Sequence, residues 1–258
     1  MTTLIRAEKI CFSYEGTKIL DEVDFDLNAG EMVGIIGPNG AGKSTLIRVL
    51  AGILHQNRGD IHYSSEAGKK IHGTELSRSI SYIPQRQEIY WPLLVERTVA
   101  LGRFPHLMSD QDLNEEDKRV VESAMEATGI VHLRDRPVNT LSGGERTLVL
   151  TARALAVEPK IILADEPVQG LDPNHELQVM EILHARVKSG CGAAVVLHHL
   201  NLAIRFCDRL FLLDRGKIRA SGKPSDVLSS ENLKQSYGIQ AHRIEVGNDF
   251  FLLPWQRI

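Results

Sequence analysis

The sequence predicts an α/β fold whose core is a mainly parallel sheet. The run MVGII, residues 32–36, is continuously apolar, as in strands buried on both faces, and a glycine-rich turn and an apolar helical segment follow it directly. Two further apolar runs, KIILA at 160–164 and AAVVL at 193–197, alternate with helical segments. Strands that alternate with helices favour parallel pairing through right-handed crossovers.

The N-terminal segment, residues 3–36, is predicted to be β structure. KICFSY and KILDEVDFDL are runs in which apolar and polar residues partly alternate, and AGEM supplies a turn before MVGII. This pattern indicates an N-terminal antiparallel β subdomain beside the parallel sheet. A helix is expected to follow from Ser44 to Leu54, where apolar residues cover most of the circumference and predict burial.

The middle of the chain, residues 86–158, is predicted to be a helical subdomain inserted into the α/β core. It has few β-branched runs, and its clearest helix extends from the capping residue Asn114 to Gly129, with three acidic residues in the first turn. Beyond it, a helix is expected to begin at Asp172 and Pro173 and to end at Gly190.

These elements predict one domain over residues 1–258. The α/β core is expected to comprise residues 1–85 and 159–235, on either side of the helical subdomain. The segment RLFLL, a DRG turn and KIRASG predict a closing hairpin of that core. Residues 236–258 form a C-terminal tail whose function the sequence leaves open.

Composition excludes several classes of function. The 258 residues carry a formal net charge of -3, so no overall positive field would hold nucleic acid, and no nucleic-acid partner is expected. Three widely spaced cysteines favour reduced core thiols over a disulfide or zinc framework. The N-terminus lacks the apolar block of a secretion signal, and no apolar run approaches the roughly 18 residues that a membrane span needs. A role at a membrane would therefore require docking onto another protein.

The stretch GPNGAGKST, residues 37–45, predicts a phosphate-binding loop. It fits the pattern of a glycine, four free positions and Gly-Lys-Ser, and it lies between a predicted strand and a predicted helix, as that pattern requires. Its glycines allow backbone N–H groups to point inward at the positive end of a helix. The weaker alternative is a glycine-rich turn with a chance lysine. The candidate nucleotide-binding residues are Gly37, Pro38, Asn39, Gly40, Ala41, Gly42, Lys43, Ser44 and Thr45.

Two adjacent carboxylates support this prediction of a P-loop NTPase core. KIILADEP ends a buried strand with Asp165 and Glu166, and ligands bind beyond the C-terminal ends of parallel strands. Asp165 would hold a magnesium ion together with the hydroxyl of Ser44, and Glu166 would take a proton from an attacking water. The alternative is an acidic loop that caps the next helix.

A third motif, LSGGE, precedes an apolar helical run. Ser142 and Glu145 have the spacing of a helix capping box, which explains these two residues without a ligand. Gly143 and Gly144 weaken a first helical turn by about 0.5–1 kcal/mol each relative to alanine. Glycines at a helix N-terminus are expected where another molecule approaches the backbone closely.

With these three motifs in the order 37, 142, 165, the chain resembles the nucleotide-binding subunit of an ATP-binding cassette (ABC) transporter along nearly its whole length. The resemblance implies that Gln85 contacts the magnesium ion and attacking water and communicates with the permease, and that Asp172 makes a subunit contact. It implies that His198 contacts the terminal phosphate and Tyr14 stacks on adenine. A lone tyrosine or histidine in such positions is more often a packing or hydrogen-bonding residue.

The stretches TVALGRFPHL, LHHLNLA and YGIQAHRI are similar to the importer branch that serves ferric siderophores, haem and cobalamin. Zinc or manganese importer ATPases are close relatives of this branch, and Arg103, Phe104 and His106 alternatively form a solvated helix end. The chain departs from the family pattern at four positions, Glu145, Thr147, Leu148 and His199, and His199 is a competing candidate for the phosphate contact.

The resemblance implies an ATP hydrolase that uses ATP and Mg²⁺. Two copies would pack head to tail, each phosphate loop being closed by residues 142–145 of the other. The implied partners are integral membrane permease subunits and, indirectly, a solute-binding protein, so the chain would lie at the cytoplasmic face of the cell membrane. Other classes are a soluble ABC-type ATPase that acts on ribosomes or DNA and a P-loop kinase, which would leave LSGGE and His198 without a role.

Overall fold

The structure is a computed structural model that describes residues 2–65, 68–85, 92–107, 112–247 and 249–258. Within these residues the strands form three sheets, of three, six and two strands. The strands are β1 (Thr3–Tyr14), β2 (Thr17–Asn28), β3 (Met32–Ile36), β4 (Arg58–Tyr63), β5 (Ile80–Ile83), β6 (Ile161–Asp165), β7 (Gly192–Val196), β8 (Arg209–Asp214), β9 (Lys217–Gly222), β10 (Ile239–Val246) and β11 (Asp249–Arg257).

The six-stranded sheet has the order β5-β6-β7-β3-β8-β9. Its neighbours pair in parallel except β8 and β9, which form an antiparallel hairpin at one edge. Strands β3, β6 and β7 are buried along their whole length, as their unbroken apolar sequences require. The predicted α/β fold with a mainly parallel sheet is confirmed.

The predicted antiparallel β subdomain is also confirmed. Strand β1 pairs with both β2 and β4 in the order β2-β1-β4. Arg209 on β8 joins this sheet to the parallel one, since its guanidinium donates to both carboxylate oxygens of Asp26 at 2.9 Å. The same guanidinium donates to Glu31 at 3.0 Å, in the turn before β3.

Helices cover both sides of the parallel sheet and fill the region between β5 and β6. The helices are α1 (Lys43–Leu50), α2 (Gly73–Ser79), α3 (Val95–Ala100), α4 (Glu115–Thr128), α5 (Gly143–Leu155), α6 (Pro173–Lys188), α7 (Leu200–Phe206), α8 (Pro224–Val227) and α9 (Ser230–Asn232). None of these helices is both long and apolar enough to cross a membrane.

Helix α1 is shorter than the sequence predicts. It ends at Leu50, and Gly52 follows with a φ of +71°, in the left-handed region that terminates helices. Ile53, expected on the buried face, is 52% exposed. The apolar pattern continued past the helix because Ile53 and Leu54 belong to the turn that leads to β4.

The helical region between β5 and β6 contains α3, α4 and α5, which pack together. Asn114 caps α4 through a reciprocal bond with Asp117, and Gly129 ends it in the left-handed region, as the sequence predicts. Buried Arg103 bonds Asp117 and Glu158, so it is a structural ion-pair residue rather than a solvated helix end. Residues 86–91 and 108–111 of the predicted helical subdomain lie outside the described residues, and the domain division stays a prediction.

The C-terminal tail forms a hairpin of β10 and β11. Its inner face is anchored by buried Phe250 and Leu252. The amide side chain of Asn201 on α7 exchanges two hydrogen bonds with the backbone of Leu252, at 2.9 and 3.2 Å. The tail is therefore tied to the helix that begins directly after His198 and His199.

Candidate functional site

The loop between β3 and α1 has the glycine conformations that the phosphate-binding motif requires. Gly37, Gly40 and Gly42 have φ values of +150°, +77° and +104°. A Cβ on Gly37 would lie 2.0 Å from the carbonyl oxygen of Leu213, so glycine is also the one residue that fits beside β8. The loop therefore depends on glycine both for its curl and for its packing.

Lys43 lies inside this loop with 5% of its surface exposed. Its Nζ donates to the carbonyl oxygens of Gly37 and Pro38, both at 2.9 Å. Burial lowers the pKa of Lys43 from its usual 10.5, while the nearby Glu166 and Asp165 carboxylates act in the opposite direction. The loop thus holds the positive charge of Lys43 at the N-terminus of α1, which suits a phosphate group.

Asp165, the last residue of β6, is fully buried below the loop. Its Oδ1 accepts from Ser44 Oγ at 2.8 Å, and its Oδ2 lies 3.4 Å from the Tyr82 hydroxyl and 3.5 Å from Arg48 Nη2. Burial raises the pKa of Asp165, and the bond from Ser44 and the charge of Arg48 partly oppose this effect. The Ser44 and Asp165 oxygens provide hard ligands of the type that Mg²⁺ prefers.

Glu166 follows in the left-handed region with a φ of +52°, a conformation that is uncommon outside glycine. Its side chain is bonded at both oxygens. Oε1 accepts from His198 Nε2 at 2.6 Å, and Oε2 accepts from Gln85 Nε2 at 2.7 Å. Gln85 also donates to Gln169 Oε1 at 2.9 Å. Two residues from separate parts of the chain, Gln85 and His198, thus fix one buried carboxylate.

These groups border one cleft with a volume of about 510 Å³. Such a volume lies within the range of small-molecule and cofactor sites. The lining residues are Tyr14, Ile19, Asn39, Gly40, Ala41, Gly42, Lys43, Ser44, Thr45, Gln85, Glu166, Gln169 and His198.

Most predicted site residues therefore meet at this cleft. Gly37, Pro38 and Asp165 lie directly behind it, through their bonds to Lys43 and Ser44. Ile19 and Gln169 line the cleft but were missed from the sequence.

Gln169 could have been found from its position three residues after Glu166, in the turn that follows a site strand. Ile19 gives no comparable signal, because an apolar residue near the start of a strand is ordinary packing.

The two adjacent histidines point to different partners. His198 reaches Glu166, whereas His199 Nδ1 lies 3.2 Å from Glu176 on α6 and its side chain is 60% exposed. His198, and not His199, is therefore the histidine that lines the cleft.

Residues 142–145 lie at the start of α5 and outside this lining. Ser142 Oγ accepts from the backbone N–H of Glu145 at 3.2 Å, and the Glu145 carboxylate accepts from the N–H of Ser142 at 2.8 Å. The bond from the Ser142 backbone lowers the pKa of Glu145. The predicted capping box is thus formed, and the Glu145 charge is directed toward its own helix.

Asp172 is the N-cap of α6 and is also outside the cleft. Its Oδ1 accepts from the backbone N–H groups of Asn174 and His175, and its Oδ2 lies 2.5 Å from His175 Nδ1. The hydrogen bond from the His175 side chain is the main reason why the pKa of Asp172 is lowered.

Comparison with known proteins identifies the family to which this site belongs. The sequence profile of the family described as "ABC transporter" matches residues 20–169, from β2 through the cleft residue Gln169. The chain belongs to the ABC transporter family. It is an ABC-type ATPase subunit, and its cassette domain binds ATP.

Several curated relatives are import ATP-binding proteins. The hemin import ATP-binding protein HmuV of Rhodococcus jostii is 35% identical over 94% of this chain and 81% of its own length. The ferric enterobactin transport ATP-binding protein FepC of Escherichia coli is 35% identical over 93% of this chain and 89% of its own. The cobalamin import ATP-binding protein BtuD of Halobacterium salinarum is 36% identical over 91% of this chain but only 58% of its own length.

Solved structures of the family share the fold. An ABC transporter assigned to the metal-chelate type, in an inward-facing conformation, has a TM-score of 0.86 at 27% identity and covers 99% of this chain and 98% of its own. A dimeric bacterial ABC transporter cassette has a TM-score of 0.73 at 26% identity, covering 86% of this chain and 99% of its own.

Proposed function

We propose that this chain is the ATP-hydrolysing subunit of an importer that takes up an iron-siderophore, haem or cobalamin type of solute through a separate membrane permease. One observation carries the ATPase part: the phosphate loop, Glu166 and His198 border a single cleft. The importer part is supported by relatives named for the import of hemin, ferric enterobactin and cobalamin, each matched over more than 90% of this chain.

ATP would bind with its phosphates in the loop between β3 and α1. Lys43 and backbone N–H groups at the start of α1 would neutralise the phosphate charge. Tyr14 stands at the rim of the cleft, 46% exposed, and its ring packs edge-on against Phe12 with centroids 4.7 Å apart. An exposed ring held from behind is suited to stacking on adenine, which contributes roughly 1–3 kcal/mol per base.

Ser44, Asp165 and Gln85 would hold the Mg²⁺ ion of the nucleotide. The fit of the first two is supported by their side-chain oxygens, which lie 2.8 Å apart beneath the loop. Hard oxygen ligands suit this ion, which, when bound, neutralises charge on the phosphate oxygens. Burial and, to a smaller extent, the charge of Glu166 raise the pKa of Asp165, so a nearby cation would favour its charged form.

Glu166 would act as the general base. Its carboxylate would accept a proton from the water that attacks the terminal phosphate, and the bonds from His198 and Gln85 fix both of its oxygens. His198 would also contact the terminal phosphate through the same side of the cleft. Gln85, between Glu166 and Gln169, would orient the attacking water and communicate with the permease.

Two copies would pack head to tail around ATP. Ser142, Gly143, Gly144 and Glu145 do not line the cleft of their own chain. Their position at a helix N-terminus suits an anion bound by another copy, and Asp172 would contribute to the same contact between subunits. A similar cassette has been solved as a dimer. Closure by ATP and opening after hydrolysis would then drive the permease.

The subunit contact can be tested in a Glu166→Gln protein, which we expect to bind ATP without hydrolysing it. Adding Ser142→Arg should abolish ATP-dependent dimerisation in sedimentation velocity, because a long cationic side chain would occupy the space of the partner's phosphate. Unchanged dimerisation would exclude the contact through residues 142–145.

The chain is expected at the cytoplasmic face of the cell membrane, bound to its permease. A solute-binding protein would act on the other side of the membrane and reach this subunit only through the permease. No nucleic-acid partner is proposed, since the net charge is -3.

The function is tested by purifying the chain with its associated membrane proteins from native membranes and reconstituting the complex in liposomes. Uptake of hemin, ferric enterobactin, cobalamin, Zn²⁺ and Mn²⁺ is measured with ATP on the side of this subunit. We expect uptake of one of the first three solutes, and none from a matched Glu166→Gln complex.

Each other result has a definite meaning. Uptake of Zn²⁺ or Mn²⁺ alone would indicate a metal-ion importer. Purification without any polytopic membrane protein would contradict the importer and favour a soluble ABC-type ATPase.

A further inference from the structure

His175, in the first turn of α6, has no role in the site described above, but its side chain contacts Asp172 and Gly144. Its Nδ1 lies 2.5 Å from Asp172 Oδ2, and because a carboxylate only accepts, the imidazole donates this bond. The side chain is 28% exposed, and His175 is not among the residues that line the ATP cleft.

The other side of the imidazole ring packs against Gly144. A Cβ at residue 144 would lie 2.6 Å from Cδ2, 2.7 Å from Cγ and 2.8 Å from Nε2 of His175, closer than carbon atoms can approach. At Gly143, by contrast, a Cβ would meet nothing within 4 Å. Glycine at position 144 therefore makes room for the imidazole of His175 of the same chain. No such neighbour explains the glycine at position 143.

We propose that His175 is a positioning residue that holds the start of α5 and the start of α6 as one unit. This inference rests on the proposed ATP-sandwich dimer, in which both Ser142–Glu145 and Asp172 face the second copy. Through His175, the position of the Asp172 turn fixes the position of the Gly144 backbone. The two parts of the subunit that would contact the partner, residues 142–145 and Asp172, are thus held in a fixed relative position.

The contacts separate this role from nucleotide binding. Asp172 caps α6 through the N–H groups of Asn174 and His175, so its carboxylate is already fixed by its own helix. The hydrogen bond then orients the ring, and the ring in turn limits the movement of Gly144. Loss of His175 should loosen the start of α5 but leave the ATP cleft unchanged.

The test uses two conservative variants, each of which keeps one half of the contact. His175→Phe keeps an aromatic ring against Gly144 but cannot donate to Asp172. His175→Asn keeps a donor near the position of Nδ1 but has no ring. His55→Ala, an exposed histidine in the turn after α1, is the matched control.

Amide hydrogen exchange in the monomer measures the local stability of the start of α5 and of the start of α6 separately. The N–H groups of Glu145 and Arg146 bond to Ser142, and that of Asn174 bonds to Asp172. His175→Asn should speed exchange at Glu145 and Arg146 because the ring is lost, and His175→Phe should speed it there by less because a ring remains. Exchange at Asn174 should change little in either variant, because its bond to Asp172 does not involve the His175 side chain. For His175→Asn we expect a change of about tenfold at Glu145 and Arg146, which corresponds to about 1.4 kcal/mol of local stability.

The functional consequence is measured in the Glu166→Gln background. His175→Ala should raise the ATP concentration for half-maximal dimerisation about tenfold. The affinity of the monomer for ATP should stay close to that of the parent.

Unchanged exchange at Glu145 and Arg146 in both His175→Asn and His175→Ala would overturn the inference. Failure of the parent Glu166→Gln protein to dimerise with ATP would instead count against the proposed function. The exchange measurement still decides the role of His175 in that case, because it needs only the monomer.

Discussion

Glu166 combines an unusual backbone with a fully bonded side chain. A non-glycine residue in the left-handed region costs of order 1–3 kcal/mol and persists only where its surroundings hold it. Here the bonds from His198 and Gln85 supply part of that support. This conformation turns the backbone away from the direction of β6, so that the carboxylate points into the cleft.

Glu166→Gln should lower ATP turnover by roughly 10²–10⁴ and leave ATP binding intact. The amide keeps the size of the side chain and an acceptor for His198, but it cannot take a proton from water. Steady-state phosphate release and equilibrium ATP binding measure the two quantities separately.

The control is Glu176→Gln, which changes a carboxylate of similar burial that contacts His199 and does not line the ATP cleft. Its turnover should stay close to that of the unmodified chain. Equal losses in both variants would mean that Glu166 acts through general stability and not as a base.

At the level of elements, the start of α5 depends on a charge as well as a cap. The bond from the Ser142 N–H favours the ionised form of Glu145, and a charge at a helix N-terminus also interacts favourably with the helix dipole. This residue is one of the departures from the family pattern, and the capping box provides a reason why glutamate is accepted there.

The pKa of Glu145 lies below its usual 4.5 in the folded chain, which fixes the sign of its pH dependence. Its contribution to folding is fully present above about pH 4.5 and is lost as the pH falls through the folded pKa. Glu145→Gln, which keeps the cap without the charge, should therefore be less stable than the unmodified chain at pH 7, by about 0.3–1 kcal/mol. The difference should shrink below pH 4.5.

Urea unfolding from pH 7 to pH 3 tests this expectation. The exposed Glu126 near the end of α4 is the matched control: its charge lies at the unfavourable end of the helix dipole, so Glu126→Gln should not lower the stability at pH 7. A difference between Glu145→Gln and the parent that stays constant over this range would contradict the role of the charge.

Some helix boundaries were predictable from the sequence, and others were not. The capping residues Asn114, Ser142 and Asp172 were predictable because a cap is a local pattern of three or four residues. The extra turn expected at Ile53 was wrong because apolar periodicity does not tell a helix from a turn packed on the same core.

Contacts between residues far apart in the chain could not be predicted from the sequence. The ring of His175 against Gly144 joins two helices that are separated by β6, and no spacing rule connects them. The placement of Ile19 in the cleft depends likewise on how the strands are ordered, which its own sequence does not encode.

At the scale of the whole molecule, Arg209 connects the antiparallel sheet to the parallel sheet. Its guanidinium contacts both oxygens of Asp26 and also reaches Glu31, whose side chain is 8% exposed. The hydrogen bond from Arg209 is the main reason why the pKa of Asp26 is lowered. Arg209 is thus one of the side chains that join the two sheets, together with Lys217 on β9, whose Nζ lies 3.1 Å from Asp21 Oδ2 on β2.

Arg209→Met should reduce the free energy of unfolding by about 1–3 kcal/mol, because Glu31 would lose its cationic partner in a buried position. Arg119→Met is the control, since its ion pair with Glu116 is exposed on α4 and should contribute less than about 0.5 kcal/mol. Chemical denaturation of both variants gives the comparison. Similar small effects would mean that Arg209 does not hold the two sheets together.

The class of fold was predictable at this scale, because continuous apolar strands alternating with helices leave few alternatives. The order of the strands was not, since nothing in MVGII indicates that β7 and β8 are its neighbours. That order decides which loops meet at the cleft.

The central place of β3 in the sheet bears on how the chain is synthesised. Its partners begin at Gly192 and Arg209, so this apolar strand leaves the ribosome long before either neighbour exists. At about 5–20 residues per second, the delay is on the order of 10–30 s. During this time MVGII is an unpaired β-forming segment, and chaperone binding to nascent chains that stop short of Arg209 is the expected consequence.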